Sequence, residues 1–298
     1  MKKINSCFCC WFATMSVEQT KNQFLPAFTI ESHPFLSPEC KLYFLGSCFG
    51  EEISRRFHRL QITSNSNPYG VLFHPITLLQ NLQQIAFNQA CQVKDFFEYN
   101  GIYHSLLHAN RFQHMESKTL QSIIDECTAK AHLQFIAADM VCITLGTAWT
   151  YHHIPSKKNI GNCHKLPQKQ FQKNLTPHQH LIETILSMAE AISSANPKAQ
   201  ILFTVSPVRH IRDGVMQNLQ SKSKLISALH EATLLNHRIL YFPAYEIAHE
   251  ELKDWRFFRY DLMHPTEWTI NHIFTRFCET FCQESMRDKL RKRALVTS

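Results

Sequence analysis

The sequence predicts an α/β fold in which helices cover a mainly parallel sheet. Short apolar segments rich in Val, Ile, Leu, Phe and Tyr alternate along the chain with longer segments of helical periodicity. This alternation is typical of strand–helix–strand units, whose strands run parallel. Neither an internal repeat nor a low-complexity linker interrupts the pattern, so the sequence favours one large domain over two smaller ones.

Four short apolar segments are the strand candidates, and most of them end on Gly, Ser or Pro. They span residues 41–46, 140–146, 201–205 and 239–243. Longer segments carry the helical pattern, and Pro75, Pro177 and Pro265 stand near three of their starts, where a missing amide hydrogen is tolerated. The helix candidates span residues 50–60, 75–88, 117–132, 177–194, 221–236 and 266–285.

Two stretches break this alternation. Residues 95–115 contain Asn100-Gly101, a strong turn signal, and predict a hairpin. Residues 150–176 are polar and predict an irregular loop. In an open α/β sheet, ligands bind at the carboxyl ends of the strands, so the two insertions either roof a pocket there or form plain surface loops. The sequence leaves both interpretations open.

The composition is ordinary for a globular enzyme. A hydrophobic content of 44% with 18% charged residues is too apolar for a disordered chain. The net charge of +7 comes in part from a basic cluster near the C-terminus, and residues 286–298 are interpreted as a solvated basic tail. No basic stripe with interleaved aromatic residues occurs elsewhere, so a nucleic-acid partner is not expected.

Residues 1–21 are interpreted as a disordered or spurious N-terminal extension. The apolar run Cys7–Phe12 follows two lysines as in a signal peptide, but it is short and no clear cleavage site follows. Met15 is an alternative start of translation. No other segment approaches the roughly 18 apolar residues of a membrane span, so a membrane partner is not expected either.

The cysteines and histidines argue against a disulfide framework and against a metal site. The 11 cysteines are scattered and lie mostly in apolar segments, which fits buried thiols in a reducing compartment and predicts a cytoplasmic location. The 18 histidines form no HExxH motif and no tight cluster with carboxylates, and no CxxC motif occurs. Neither a metal nor another cofactor is therefore expected.

Ser47 is the first candidate catalytic residue. It lies between a predicted strand and a predicted helix, in the motif Gly46-Ser47-Cys48-Phe49-Gly50. Backbone amides at that helix start would point toward an oxyanion forming on an attacked carbonyl, and Gly46 permits the turn. Taken alone the motif is a weak signal, because serine is also a common helix N-cap.

Asp261 and His264 supply the groups that a nucleophilic serine needs. They lie three residues apart in Asp261-Leu-Met-His264-Pro265, close to the start of the last predicted helix. At this spacing the carboxylate can hold one ring nitrogen of the imidazole while the other faces the serine. The alternative is that Asp261 simply caps the helix that follows.

The order Ser47, Asp261, His264 matches the pattern of the SGNH hydrolases, and finer matches resemble one branch, the GSCFA family of bacterial proteins. The family is named for the motif that reads Gly-Ser-Cys-Phe-Gly here, with glycine in place of its last alanine. Further segments resemble family blocks: residues 67–75, 144–149, 162–165, 206–210, 241–246 and 261–265. The resemblance covers roughly residues 22–285, which we therefore expect to form the domain.

The resemblance implies a three-layer α/β/α sandwich, SGNH-hydrolase-like and flavodoxin-like, with a serine-centred hydrolase site. Ser47 would be the nucleophile, His264 the general base and Asp261 its orienting acid. The backbone at Ser47 and Gly70 would hold the oxyanion. The usual Gly-x-Asn-Asp block reads Gly-Thr-Ala-Trp here, so Thr147 would have to replace the missing asparagine donor. Losing one such donor typically costs on the order of 10²–10³ in rate.

Other residues are candidates for substrate binding or for a rival chemistry. Arg209 and His210 follow a predicted strand and could both project into the pocket as substrate-binding residues, or could pack as polar loop residues. In the pocket, Arg209 could bind an anionic or sugar-acid group. Asn67 lies close to Gly70 in the sequence and is the third candidate for substrate binding. Cys48 is a rival nucleophile at the helix start, although neighbouring side chains diverge and only one can face His264.

The sequence therefore predicts a cofactor-free ester hydrolase or acyltransferase that forms an acyl-serine intermediate. The expected partner is a small-molecule ester or, by kinship with carbohydrate esterases, an acylated carbohydrate. A non-catalytic binding protein that keeps the fold is the alternative from another class, and the missing asparagine block is its best support. The loop position of His164 cannot be placed from the sequence, and neither can the oligomeric state.

Overall fold

The structure, a computed structural model, describes residues 28–161, 163, 166–211 and 214–296. The interpretation of residues 1–21 as an extension therefore concerns residues outside the described part of the chain, and His164 also lies outside it. In the C-terminal helix the side chains are described as far as residue 292.

A five-stranded sheet lies at the centre of the domain, with the strand order β11-β10-β6-β1-β2. Every neighbouring pair in it is parallel, as the sequence predicts. The strands of the central sheet are β1 (Leu42–Gly46), β2 (Ser64–Ser66), β6 (Met140–Leu145), β10 (Gln200–Val205) and β11 (Ile239–Phe242). The short strand β2 was not predicted, because its sequence Ser-Asn-Ser carries no apolar signal.

Helices connect these strands and cover both faces of the sheet, and each predicted helix is confirmed with shifted ends. They are α1 (Cys48–Arg59), α2 (Pro75–Ala86), α3 (Ser117–Ile136), α4 (His178–Ala195), α5 (Val215–Leu235), α6 (Glu267–Phe281) and α7 (Glu284–Val296). A short helical stretch, Ala244–Glu246 followed by Ile247–Glu251, precedes the loop that leads to α6.

Alternate residues of the central strands enter two separate apolar cores, as the period of two in a strand requires. Tyr43, Val141 and Phe203 face a core built with α2, α3, α4 and α5. Phe44 and Cys142 face the other core, built with α1, α6 and α7. The expected three-layer α/β/α architecture is therefore confirmed, and both faces of the sheet are buried.

The two insertions form small antiparallel sheets. The predicted hairpin is confirmed, with Asn100-Gly101 at its turn, and it consists of β3 (Phe96–Tyr99) and β4 (Ile102–Ser105), extended by β5 (Gln113–His114). The prediction of an irregular loop at 150–176 was wrong. This stretch contains β7 (Trp149–His153), β8 (Lys158–Ile160) and β9 (Phe171–Leu175), whose mixed polar sequence suits a half-exposed sheet.

The basic C-terminal segment is helical rather than a free tail. The predicted helix 266–285 is two helices, because Cys282 leaves the helical conformation and α7 begins at Glu284. Met286 and Leu290, one helical turn apart on α7, are 0% and 1% exposed within the second core. These two buried side chains anchor α7 to the core. In the sequence, the many basic residues of the segment obscure the helical spacing of this apolar pair.

Candidate active site

The turn between β1 and α1 places Ser47 at the carboxyl edge of the sheet. Gly46 has a φ of 118°, and a Cβ added there would lie 2.1 Å from the carbonyl oxygen of Thr144. Only glycine fits this position. The side chain of Ser47 accepts a hydrogen bond from the amide of Phe49 at 3.3 Å and so caps α1. The turn that carries Ser47 is therefore fixed by the glycine before it and by the helix cap that Ser47 itself forms.

The hydroxyl of Ser47 is buried. It lies 2.8 Å from the hydroxyl of Ser206 and also donates to the Sγ of Cys48 at 3.9 Å. Ser47 is 2% exposed and Ser206 is fully buried. Ser206 follows β10, so the contact joins two strand ends that lie on either side of β6. Among the described residues, His264 is not a hydrogen-bond partner of Ser47.

Asp261 and His264 form the pair that their spacing predicts. The Oδ2 of Asp261 lies 2.7 Å from the Nδ1 of His264, and its Oδ1 accepts from the amides of Met263 and His264, both at 2.9 Å. These bonds, led by the one from the His264 amide, lower the pKa of Asp261 to about 2. The alternative interpretation of Asp261 as a helix cap was wrong, because Thr266 caps α6.

The loop that carries this pair is tied to the end of β10. The amide of Arg209 donates to the carbonyl of Met263 at 3.0 Å, and its guanidinium lies over the ring of Trp255 and near the carbonyl of Leu262. These contacts give Arg209 a positioning role. Its predicted role in binding an anionic substrate group is not supported by this geometry.

A cavity of about 220 Å³ lies between the start of α1 and the loop of His264. Phe49, Val208 and Ile270 form apolar walls, and Arg259 lines it beside His264. Cys48 and the partly exposed carboxylate of Glu52 also line this cavity, together with Pro265. The imidazole that Asp261 holds therefore faces a space large enough for a small acyl group.

The three groups that were expected to bind the oxyanion donate to or contact other partners in the structure. This corrects the expected roles of Ser47, Gly70 and Thr147 in the oxyanion hole. The amide of Ser47 donates to the carbonyl of Thr144 at 3.0 Å, and the amide of Gly70 donates to the carbonyl of Asn67 at 2.8 Å. The hydroxyl of Thr147 lies 3.0 Å from the hydroxyl of Ser221 and accepts from the amide of Trp149. These groups build the turns around the site rather than offering free donors.

Asn67 has a structural role. Its side-chain oxygen accepts from the amide of Gly46 at 2.8 Å, and its side-chain nitrogen donates to the carbonyl of Gly46 at 3.1 Å and to Glu51 at 3.0 Å. The residue is 5% exposed and has a φ of 41°, a left-handed conformation that asparagine tolerates. Asn67 therefore holds the turn of Ser47, and these contacts do not support substrate binding.

His210 is held close to the site but away from its cavity. Its amide donates to the side chain of Asn218 at 2.7 Å, and its ring lies against Phe73. Burial, with the charge of Lys222 as a smaller cause, lowers the pKa of His210 to about 3, so the ring is neutral at ordinary pH. His210 does not line the cavity of His264, so this geometry does not support its expected role in substrate binding.

Sequence reasoning missed three residues that the structure brings to the site. Ser206 contacts Ser47, Arg259 lines the cavity of His264, and Lys222 donates from α5 to the carbonyls of Gly146 and Ser206 at 2.7 Å each. Ser206 lies at the end of a predicted strand, and this position could have marked it as a candidate site residue. Lys222 lies inside a helix with nothing in the sequence to distinguish it from surface lysines.

Comparison with known proteins decides the family. The model of the GSCFA family matches residues 41–277. The chain belongs to the GSCFA family. The match includes the turn of Ser47, the Asp261–His264 pair and all five central strands. Comparison with curated protein sequences finds no match.

Three solved structures are similar to this GSCFA protein at low sequence identity. A GDSL-like lipase from Bacteroides thetaiotaomicron is 10% identical with a TM-score of 0.39, over 97% of this chain and 100% of that one. A proposed acylhydrolase from Bacteroides fragilis is 10% identical with a TM-score of 0.41, over 96% and 98% of the two chains. An acetyl xylan esterase from Butyrivibrio proteoclasticus is 12% identical with a TM-score of 0.35, over 89% and 65%.

Two kinds of feature are absent from the residues that the structure describes. They contain no cluster of three or more His, Cys, Asp or Glu side chains arranged to hold a metal ion. Within the same part of the chain, no helix combines the length and the apolar character that crossing a membrane requires.

Proposed function

We propose that this GSCFA protein is an ester hydrolase that works through an acyl intermediate on Ser47. One observation carries the proposal. Asp261 holds His264 through a 2.7 Å hydrogen bond, and His264 faces a cavity that the first residues of α1, directly after Ser47, also line. An oriented imidazole beside a serine at a helix start is the arrangement that activates a serine for acyl transfer.

In this mechanism the Nδ1–H of His264 donates to Asp261, which leaves Nε2 as the base. Substrate binding brings the Ser47 hydroxyl and Nε2 into hydrogen-bond contact, a step that often completes a catalytic site only in the substrate complex. Nε2 takes the Ser47 proton as Oγ attacks the ester carbonyl. The tetrahedral intermediate expels the alcohol, which takes that proton from His264. Water then repeats the sequence and releases the acid.

The start of α1 offers the negative carbonyl oxygen a binding place. The amide of Cys48, the first residue of α1, lies ahead of the hydrogen-bond ladder of the helix, and the helix dipole adds positive potential there. We propose this amide as the oxyanion donor, in place of Gly70 and Thr147. Its contribution should be on the order of 10²–10³ in rate, the typical worth of one such donor.

The cavity favours an ester with a small acyl group. Its volume of about 220 Å³ and the apolar walls of Phe49, Val208 and Ile270 suit a short aliphatic chain. Arg259 adds a positive charge at the same cavity and favours a substrate that carries a negative group. An acylated carbohydrate that also bears an acidic group satisfies both features. The free thiols among the described residues fit work in a reducing compartment, and we propose the cytoplasm.

Cys48 provides the second candidate chemistry, because it lines the cavity together with His264. Burial, with smaller effects of Glu51 and Glu52, raises the pKa of the Cys48 thiol, and a reactive cysteine needs the opposite shift. We therefore place the nucleophile on Ser47. A thiol enzyme would lose activity in Cys48→Ala, and the serine enzyme would keep it.

Hydrolysis of p-nitrophenyl acetate and p-nitrophenyl butyrate by the full chain tests the proposed function. Ser47→Ala and His264→Ala should each lower kcat/KM by at least about 10³-fold, as in other serine-based sites. Ser54→Ala, which removes a buried serine from α1 away from His264, is the matched control. Activity that survives in Ser47→Ala would overturn the proposal.

The same measurement separates the remaining alternatives. Adding an acceptor alcohol diverts the acyl group in an acyltransferase, so p-nitrophenol release would rise and an acyl ester of the acceptor would accumulate. A non-catalytic binding protein would release no p-nitrophenol above the background of Ser47→Ala. We expect hydrolysis that exceeds both the background and the transfer to the acceptor.

A further inference from the structure

Ser206 contacts the proposed nucleophile from the far side of β6. The hydroxyl oxygens of Ser206 and Ser47 are 2.8 Å apart, and both residues are buried. The sheet order places β6 between the strands that carry them, so the pair spans two strand spacings. Two buried hydroxyls held across an intervening strand form a contact that the backbone pairing alone does not require.

The surrounding donors indicate which hydroxyl gives its hydrogen to the other. The Oγ of Ser206 accepts from the amide of Val208 at 3.2 Å, which leaves its own hydrogen for Ser47. The Oγ of Ser47 also accepts from the amide of Phe49 at 3.3 Å. With both lone pairs of Ser47 Oγ engaged, its hydrogen is directed to the Sγ of Cys48 at 3.9 Å, a long contact from which a stronger acceptor group can take it. In the proposed mechanism that group is His264.

Lys222 fixes the position of Ser206. Its Nζ donates to the carbonyls of Ser206 and Gly146 at 2.7 Å each, and Lys222 is 1% exposed. The amide of Ser206 donates to the carbonyl of Leu145 at 2.8 Å. The backbone donor, the backbone acceptor and the hydroxyl of Ser206 are therefore all held.

We propose that Ser206 is a catalytic residue that donates a hydrogen bond to the Oγ of Ser47 as negative charge develops there, and that Lys222 is a positioning residue that holds Ser206. The inference rests on the proposed function of Ser47. During attack the Ser47 proton moves to His264 and the electron pair of that O–H bond forms the new bond to carbon. No bond is made or broken at Ser206, which keeps its proton and strengthens one hydrogen bond.

The experiment measures kcat and KM for p-nitrophenyl butyrate, and the rate of inactivation by a fluorophosphonate, in the full chain and its variants. Ser206→Ala should lower kcat and the inactivation rate in parallel by about 10- to 100-fold, with KM within about threefold. Lys222→Met should lower kcat by about 10-fold when the rate is divided by the concentration of active sites, which fluorophosphonate titration counts. Lys222→Arg, which keeps the positive charge, should retain more activity than Lys222→Met.

Thr204→Val is the matched control, because Thr204 is a buried hydroxyl residue on the same strand whose Oγ1 has no hydrogen-bond partner in the described part of the chain. Its kcat should stay within about twofold of wild type. If Ser206→Ala fails to fold, Ser206→Cys keeps the volume with a weaker donor and should show the same parallel loss.

The outcomes separate this inference from the proposed function. If the wild type reacts at Ser47 and the Ser206 variants keep the wild-type kcat, the role of Ser206 is overturned and the proposed function stands. An equal loss of kcat in Thr204→Val would also overturn the role of Ser206, since the loss would then follow from removing any buried hydroxyl. Wild type that fails to react at Ser47 would overturn the proposed function, and the role of Ser206 with it.

Discussion

Asp261 holds His264 through both of its carboxylate oxygens. One oxygen lies 2.7 Å from the Nδ1 of the ring, and the other accepts from the backbone amide of the same histidine at 2.9 Å. The carboxylate therefore fixes the ring and the peptide that carries it. Its pKa, lowered to about 2 first by the hydrogen bond from the amide of His264, keeps it ionised at neutral pH.

Asp261→Asn should lower kcat/KM by about 10²–10⁴-fold, because an amide nitrogen opposite Nδ1 would hold the ring in the wrong tautomer. The two amide hydrogen bonds to Oδ1 can persist, so the thermal midpoint should change little. Asp254→Asn is the control, since Asp254 also accepts from the amide two residues later but lies outside the cavity of His264. Wild-type activity in Asp261→Asn would contradict the role assigned to the pair.

Gly46→Ala should unfold the domain or destabilise it by about 4 kcal/mol or more, because the added Cβ would lie 2.1 Å from a backbone oxygen. Gly101→Ala is a matched control with a positive φ of 75° and no atom within 4 Å of the new Cβ. It should cost about 1 kcal/mol. Chemical denaturation of both variants checks the prediction, and equal losses would show that close approach to Thr144 is not the cause.

The sequence was sufficient for four of the five strands of the central sheet, because these strands are buried on both faces and read as continuous apolar runs. Two elements were not predicted, for the same physical reason. The strand β2 at the sheet edge, Ser64–Ser66, and the sheet of 149–175 have polar or mixed residues, and half-exposed strands carry a weak periodic signal. The helix α7 was hidden by its many basic residues, although Met286 and Leu290 supply its buried face.

His74 should make the protein sensitive to acid. It caps α2 through Nδ1, which accepts from the amide of Ile76 at 3.2 Å, and its Nε2 lies 3.0 Å from Thr176 Oγ1. Burial lowers the pKa of His74 to about 3. Between that value and the ordinary 6.5, the unfolded chain binds a proton that the folded chain does not, so stability is complete above pH 6.5 and falls as the pH drops.

His74→Asn retains a capping side chain but removes this titration. The unfolding free energy of the variant, measured by urea titration, should fall less between pH 7 and pH 5 than that of wild type, by about 1–2 kcal/mol. His58→Asn, which removes a histidine at an exposed position, is the control. An identical pH dependence in wild type and His74→Asn would contradict the account.

Arg259 should favour esters that carry a negative charge. Arg259→Gln should lower kcat/KM for p-nitrophenyl hemisuccinate about 10-fold more than for p-nitrophenyl butyrate, because only the first substrate has a carboxylate to pair with the guanidinium. Arg256→Gln is the control, since Arg256 pairs with Asp254 outside the cavity of His264. An equal effect on both substrates would remove Arg259 from the determinants of specificity.

The candidate site was only partly accessible to sequence reasoning. Asp261 and His264 are close in the chain, so their spacing alone predicts their contact. Ser206 meets Ser47 across 159 positions of sequence, and only the order of the strands brings them together. The expected roles of Gly70 and Thr147 as oxyanion donors were wrong. The amide of Gly70 is engaged within a local turn, and the hydroxyl of Thr147 contacts Ser221, 74 positions along the chain, and no pattern in one sequence records such pairings.

The central claim is that His264 activates Ser47. Labelling the full chain with a fluorophosphonate, followed by peptide mass spectrometry, tests it in wild type, His264→Ala and Cys48→Ala. We predict an adduct on Ser47 in wild type and in Cys48→Ala, and at least about 10³-fold slower labelling in His264→Ala. A folded wild-type protein without the adduct, or labelling of Ser47 at an undiminished rate without His264, would contradict the account.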